Sequence, residues 1–237
     1  PHVTHASGSC VIEATPRRER TLMTYRPTPT HLFGHRPSAR PERPHTIWRT
    51  LCWATPSLAV SGDLPGKATE ARSTLATWVA SGVTDIVDLR IEDSHEQFVG
   101  THAPHVKYHW LGVDDEGDRR SDEWFEAIAQ VAGEILSDPT RKLVVHCHMG
   151  ANRGPSAAFT ALLVNGMSPT EALTAIRTAR PIASMLYSFD AVQWFGRSTG
   201  LDQASIDALF DEVYDWHVAN PLDLGWVISN IGNRYAA

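Results

Sequence analysis

Cys147 and Arg153 are separated by five residues in the run VVHCHMGANRGPS, a spacing that suits the binding of a tetrahedral oxyanion. An apolar run ends at Cys147 and a helix-prone run begins at Arg153. His148, Met149, Gly150, Ala151 and Asn152 are therefore read as a tight strand-to-helix loop that binds phosphate. Successive backbone N–H groups of such a loop point inward, the helix amino terminus adds positive potential, and an Arg can grip two oxygens at once. The same field lowers the pKa of a thiol, so Cys147 is expected to be a thiolate near neutral pH. A thiolate facing a bound phosphoryl group is a nucleophile aimed at phosphorus. Gly150 is expected where the loop comes so close to its ligand that a Cβ would interfere.

The elements around this loop must hold it in place. TIWRTLCWATPSLAV, residues 46–60, is rich in β-formers and reads as a strand or hairpin entering the turn SGDLPG. Thr69 to Ala80 reads as a helix with Leu75, Trp78 and Val79 on one face, stopped by Gly82. TDIVDLR is a short buried strand, and VKYHWLGV places Val106, Tyr108 and Trp110 on one face of another. Ser121 caps a helix with Trp124, Phe125, Ile128, Val131 and Ile135 at helical spacing. RKLVVHC is the strand that delivers Cys147, and GPSAAFTALLVNG is the buried helix after it. Ser168-Pro169-Thr170-Glu171 is a capping box opening a further helix, and two more helical patterns follow, ending near Val218. Strands interleaved with helices predict an α/β domain whose mostly parallel central sheet is flanked by helices.

The 237 residues carry 21 Lys and Arg against 27 Asp and Glu, a net charge of −6. Residues 1–45 hold seven Arg against three acids, so that stretch is +4 and the remainder −10. An acidic body argues against non-specific nucleic-acid binding, which depends on neutralising backbone phosphates. The first 45 residues also hold seven of the fifteen prolines and show no sustained apolar period. They are read as a basic, mobile tail, residues 46–200 as the catalytic domain, and 201–237 as a helical extension with Ile206, Leu209, Phe210 and Val213 on one face. No apolar run approaches the roughly 20 residues needed to span a bilayer. Cys10, Cys52 and Cys147 imply no disulfide framework. A cytoplasmic protein without a membrane partner is expected.

In VVHCHMGANRGPS, with its flanking SGVTDIVDLR, LGVDDEGD and GMSPTEALTAIRTARP, the chain resembles the cysteine-dependent protein tyrosine phosphatases, and more closely their dual-specificity branch, over residues 50–195. The resemblance implies that fold and the hydrolysis of phosphotyrosine, with phosphoserine or phosphothreonine as further substrates, through a cysteinyl-phosphate. Cys147 would be the nucleophile, Arg153 the phosphate clamp, and an Asp on the loop about thirty residues upstream the proton donor. Asp115, thirty-two residues before Cys147, matches that position best, ahead of Asp114 and Asp118. His146 would orient the loop backbone, and the substrate would be a phosphorylated protein. No cofactor is implied. His102, His105 and His109 straddle a Pro-containing loop with no Cys nearby, and no metal site is expected there.

The departures from the family pattern carry their own expectations. Gly154 stands where Ser or Thr would help the thiolate leave, so either Ser156 substitutes from the next turn or turnover is slow. Asn152 stands where Ser or Gly is commoner. Met185 and Leu186 replace Pro-Asn, and Gln193 falls one position late. The loop holds no Lys, which favours phosphoprotein over inositol lipid. Two rivals follow: a phosphopeptide-binding pseudophosphatase with slow turnover, and a rhodanese-like sulfurtransferase, whose loop has four residues between Cys and Arg.

Overall fold

The computed structural model describes residues 23–33 and 39–235. In chain order these form α1 (Pro44–Ile47), β1 (Cys52–Trp53), β2 (Leu58–Ser61), α2 (Ala68–Ala80), β3 (Asp85–Arg90), α3 (Glu96–His102) and β4 (Lys107–Val113). The second half adds α4 (Asp122–Leu136), β5 (Leu143–His146), α5 (Arg153–Val164), α6 (Pro169–Ala179), α7 (Ser188–Ser198), α8 (Gln203–Ala219) and α9 (Leu224–Tyr235). The sheet order is β1-β2-β5-β3-β4. The last four strands in that order run parallel, and β1 folds back antiparallel on β2.

The apolar run before Cys147 takes the centre of the sheet because helices cover both its faces. Leu143 and Val145 join the cluster under α4 to α8, while Val144 joins Leu75 and Trp78 of α2 and Val99 of α3. This is the period-two alternation of a strand buried on both sides. Ser61, His146 and Asp88 lie abreast at the carboxyl end of the sheet, one residue before Cys147. In open parallel sheets that edge is where ligands bind. Residues 153–163 of α5 are all buried, which makes α5 the central helix of its layer.

The caps form as read: Ser121 accepts the Trp124 N–H, and the Ser168–Glu171 capping box is complete. Other elements differ. Val79 and Val131 are only partly buried, and Ala71 and Ala132 fill the corresponding core positions. Trp110 is 52 % exposed, because β4 is the sheet edge and its indole N–H turns to the Arg90 carbonyl at 2.6 Å. The sequence pattern yields neither α3 nor the separate helix α9 within the extension.

Of the stretch read as a mobile tail, residues 1–22, with Cys10, and 34–38 lie outside the described residues. Residues 23–33 lie along α7 and α8. The Tyr25 hydroxyl donates to Asp190, and the Arg26 backbone exchanges hydrogen bonds of 2.7 and 2.9 Å with the Gln193 amide. The Arg26 guanidinium sits 3.9 Å above the Phe210 ring and pairs with Asp211 at 2.8 Å. Leu32 and Phe33 pack on the main core. A Pro-rich segment lacks the period of a helix or strand, yet helix side chains satisfy its backbone here, and apolar period does not register that kind of contact.

Candidate active site

Residues 147–152 leave β5 and enter α5, and neighbouring groups hold four successive carbonyls of this loop from outside. The His148 carbonyl accepts the Asp63 N–H at 2.9 Å. Arg180 donates Nη2–H to Met149 at 3.0 Å and Nε–H to Gly150. Ser184 donates its N–H and hydroxyl to Ala151 at 2.6 and 2.9 Å. In a trans peptide the N–H points opposite to the carbonyl, so the N–H groups of residues 149–152 face the other side. Asn152 precedes α5 without a side-chain cap, which leaves the first turn of the helix open to an anion.

Arg180 is a fully buried cation whose acceptors are carbonyls, including those of Ile47, Trp48 and Thr50, together with the Cys52 sulfur. It ties the loop to the segment before β1. Gly150 has φ +60°, and a Cβ there would strike Arg180 Nη2 and come within 2.5 Å of the Ser61 carbonyl oxygen. The crowding that demands glycine is therefore on the protein side of the loop, where the expectation had placed it on the ligand side.

Arg153 is 4 % exposed. Its two terminal nitrogens each lie 2.7 Å from a different Glu92 oxygen, and Nη1 also donates to the Val113 carbonyl at 2.9 Å. Nε makes no hydrogen bond and stands 3.4 Å from Asp115 Oδ2. The bond to Arg153 holds the Glu92 carboxyl down at about 2. Burial pushes the Cys147 thiol up, against the pull of Arg153, and Asp115 adds to the rise. The N–H groups of Gly154 and Gly150 act the other way. Desolvation thus opposes the thiolate expected near neutral pH. That expectation counted the loop and Arg153 but omitted desolvation and the carboxylates that Arg153 faces. Glu92 was missed because an exposed loop acid 61 residues upstream carries no local pattern.

Asp115 is held over the loop: its Oδ1 accepts from Asn152 Nδ2 at 2.7 Å and from the Tyr187 hydroxyl at 2.9 Å. Asp114 instead pairs with Arg120 at 2.8 Å, and that bond holds its carboxyl below the usual range. The Asp118 carbonyl also accepts from Arg120. Ser156, the candidate to help the sulfur leave, lies in the first turn of α5. Its hydroxyl lies 3.4 Å from Asn152 Oδ1 and accepts the Tyr187 N–H at 3.2 Å. It holds Asn152, whose Oδ1 also accepts the Leu186 N–H at 2.8 Å.

His146 Nδ1 makes no hydrogen bond. Its ring is buried beside Asp88 and stacks on His95, and burial lowers its pKa to about 4. His148 Nδ1 lies 2.9 Å from Asp63 at the rim of the site. His109 lies 3.3 Å from Asp85, on a different edge from His102 at the end of α3. Among the described residues no three His, Cys, Asp or Glu side chains are grouped to hold a metal. No helix among them is long and apolar enough to cross a membrane.

Cys147, Arg153, Asp115 and Asn152 line one cavity of about 260 Å³ together with His148, Met149 and Ala151. Its remaining wall is apolar: Leu186, and from α9 Leu224 and Ile228.

No protein-family model matches the chain, and no curated protein matches it by sequence. Solved structures do. Human DUSP28 is similar with a TM-score of 0.52 at 18 % identity, covering 63 % of this chain and 99 % of that one. A mouse protein described as a dual specificity phosphatase, complexed with zinc tungstate, gives 0.51 at 17 % identity over 69 % of this chain and 95 % of that one. At such identities the likeness is one of architecture, and it agrees with the mostly parallel sheet and its flanking helices. The chain carries the fold of the dual-specificity phosphatases.

Proposed function

We propose that the chain hydrolyses phosphomonoesters of proteins, phosphotyrosine foremost, through a cysteinyl-phosphate. The observation that carries this is the loop whose carbonyls at 148–151 are all held outward, with Cys147, the hydrogen-bond-free Nε of Arg153 and Asp115 around one cavity. Inward N–H groups and Arg153 bind the phosphoryl oxygens and stabilise the charge that develops on them. Cys147 attacks phosphorus as the thiolate that Arg153 and the Gly150 and Gly154 N–H groups favour, the bond to the leaving oxygen breaks, and Asp115 gives that oxygen its proton. Water then attacks phosphorus, returns a proton to Asp115 and releases the sulfur. Asp115 is favoured over Asp114 because Asp114 is engaged by Arg120.

Cys147→Ser tests the proposal. It should abolish hydrolysis of an aryl phosphate while vanadate still binds, since a serine hydroxyl in the same cradle is far less ionised than a thiol. Retained turnover would refute the nucleophile. The slow-turnover reading is supported by Gly154, which offers no hydroxyl, and by Ser156, whose hydroxyl is turned to Asn152. Rapid-mixing kinetics separates the two, because a trap releases one equivalent of alcohol and stops.

A further inference from the structure

The cavity above Cys147 is closed on one side by a helix at the far end of the chain. α9 is anchored by Val227 and Ile231, which are buried with Leu222 and Ile182 against Ile47, Trp48 and Met149. Its start is clamped from the amino-terminal side: Asp223 N–H donates to the Ala39 carbonyl at 3.2 Å, and Arg40 pairs with the Asp223 carboxylate at 2.8 Å. Asp223 Oδ1 in turn accepts the Trp226 N–H at 2.9 Å, an amino-terminal cap. With one face fixed in this way, Leu224 and Ile228, four residues apart and so on one side of the helix, reach the cavity. Ile228 is 44 % exposed, one of few large apolar side chains left to solvent among the described residues.

We propose that Leu224 and Ile228, with Leu186, form a wall that grips an apolar leaving group and so selects aryl phosphomonoesters over short alkyl ones. The inference rests on the phosphatase reading and assigns its specificity to α9. A cavity of about 260 Å³ is smaller than those that enclose drug-sized ligands, and it suits one phosphorylated side chain. Among phosphorylated hydroxyl side chains only phosphotyrosine carries a ring next to its phosphate. Phosphoserine offers a single methylene, which leaves this wall uncovered. Apolar surface brought against apolar surface stabilises the ring there, and the charged end of the cavity remains with the phosphate.

The test compares binding, so that it does not depend on turnover. The Cys147→Ser chain is titrated by calorimetry with inorganic phosphate, methyl phosphate and phenyl phosphate, then again with Leu224→Ala and Ile228→Ala added. Both positions are partly open and alanine favours the helix, so α9 should remain folded, which circular dichroism verifies. The parent should prefer phenyl over methyl phosphate, and the added pair should cut that preference roughly tenfold while inorganic phosphate still binds. A preference that survives the substitutions, or a parent without one, overturns the wall. Failure of every phosphate compound to bind overturns both the wall and the phosphatase reading. A wall-dependent preference in a chain whose wild type hydrolyses no ester leaves the wall standing and removes hydrolysis alone.

Discussion

Gly150→Ala separates two reasons for a glycine in the loop. Were the ligand the crowding body, the substitution would abolish phosphate binding and leave stability intact. The structure requires the reverse order. An L-residue at φ +60° costs about 1–2 kcal/mol. The new Cβ would also meet Arg180 Nη2 and sit 2.5 Å from the Ser61 carbonyl oxygen, so the loop must lift from β2 or Arg180 must withdraw. Withdrawal breaks the guanidinium bonds to the Met149 and Gly150 carbonyls, and a hydrogen bond to a charged group is worth about 1.5–3 kcal/mol. Strain plus one such bond comes to about 2.5–5 kcal/mol, a large share of the roughly 5–15 kcal/mol by which domains are stable. Urea unfolding followed by tryptophan fluorescence reads this directly. A loss below about 1 kcal/mol, with phosphate binding abolished, would refute the placement of Arg180 behind the loop.

Asp115→Asn should slow phosphotyrosine hydrolysis by ~10² to 10⁴ and an activated nitrophenyl ester less, while Asp114→Asn does little; the opposite pattern in paired kcat measurements moves the acid to Asp114. Gly154→Ser should raise steady-state turnover and shrink the burst, because a Cβ there meets nothing closer than the Cys147 nitrogen at 3.4 Å; unchanged rates would show that release of the sulfur needs no hydroxyl. Acid should destabilise the fold as pH falls from 6.5 towards 4, because burial holds His146 at about 4 and His217 at about 3, so the unfolded chain takes up their protons first. Replacing His217 by Phe should flatten that limb in chemical denaturation at stepped pH, and an unaltered slope would contradict it.

The strand–loop–helix around Cys147 could be read because its parts are contiguous: an apolar strand, a fixed spacing and a helix start. The Ser168–Glu171 capping box was legible for the same reason, as a four-residue event. Glu92, Arg180 and α9 were not, since each meets the loop through a fold-level contact that neither period nor spacing encodes. Arg180 sits in a run that packs as a helix end, and only the tertiary structure shows its guanidinium under Met149 and Gly150. Ser156 shows the converse: a plausible type at a plausible place, whose hydroxyl engages Asn152 and Tyr187.

Asp190 joins two distant parts of the chain. One oxygen takes the Tyr25 hydroxyl and the other takes the Arg120 N–H at 2.9 Å, at the base of the loop that carries Asp115. Tyr25 and Asp190 are 165 residues apart, and Arg26 and Asp211 are 185 apart. Contacts of that span are slow to form, since a long loop must close before they return any stability. On the ribosome, residues 23–33 emerge before α7 and α8 and must wait for them before they can dock. The brace beneath the acid loop is thus completed only once α7 and α8 are made, although its other half is made long before them.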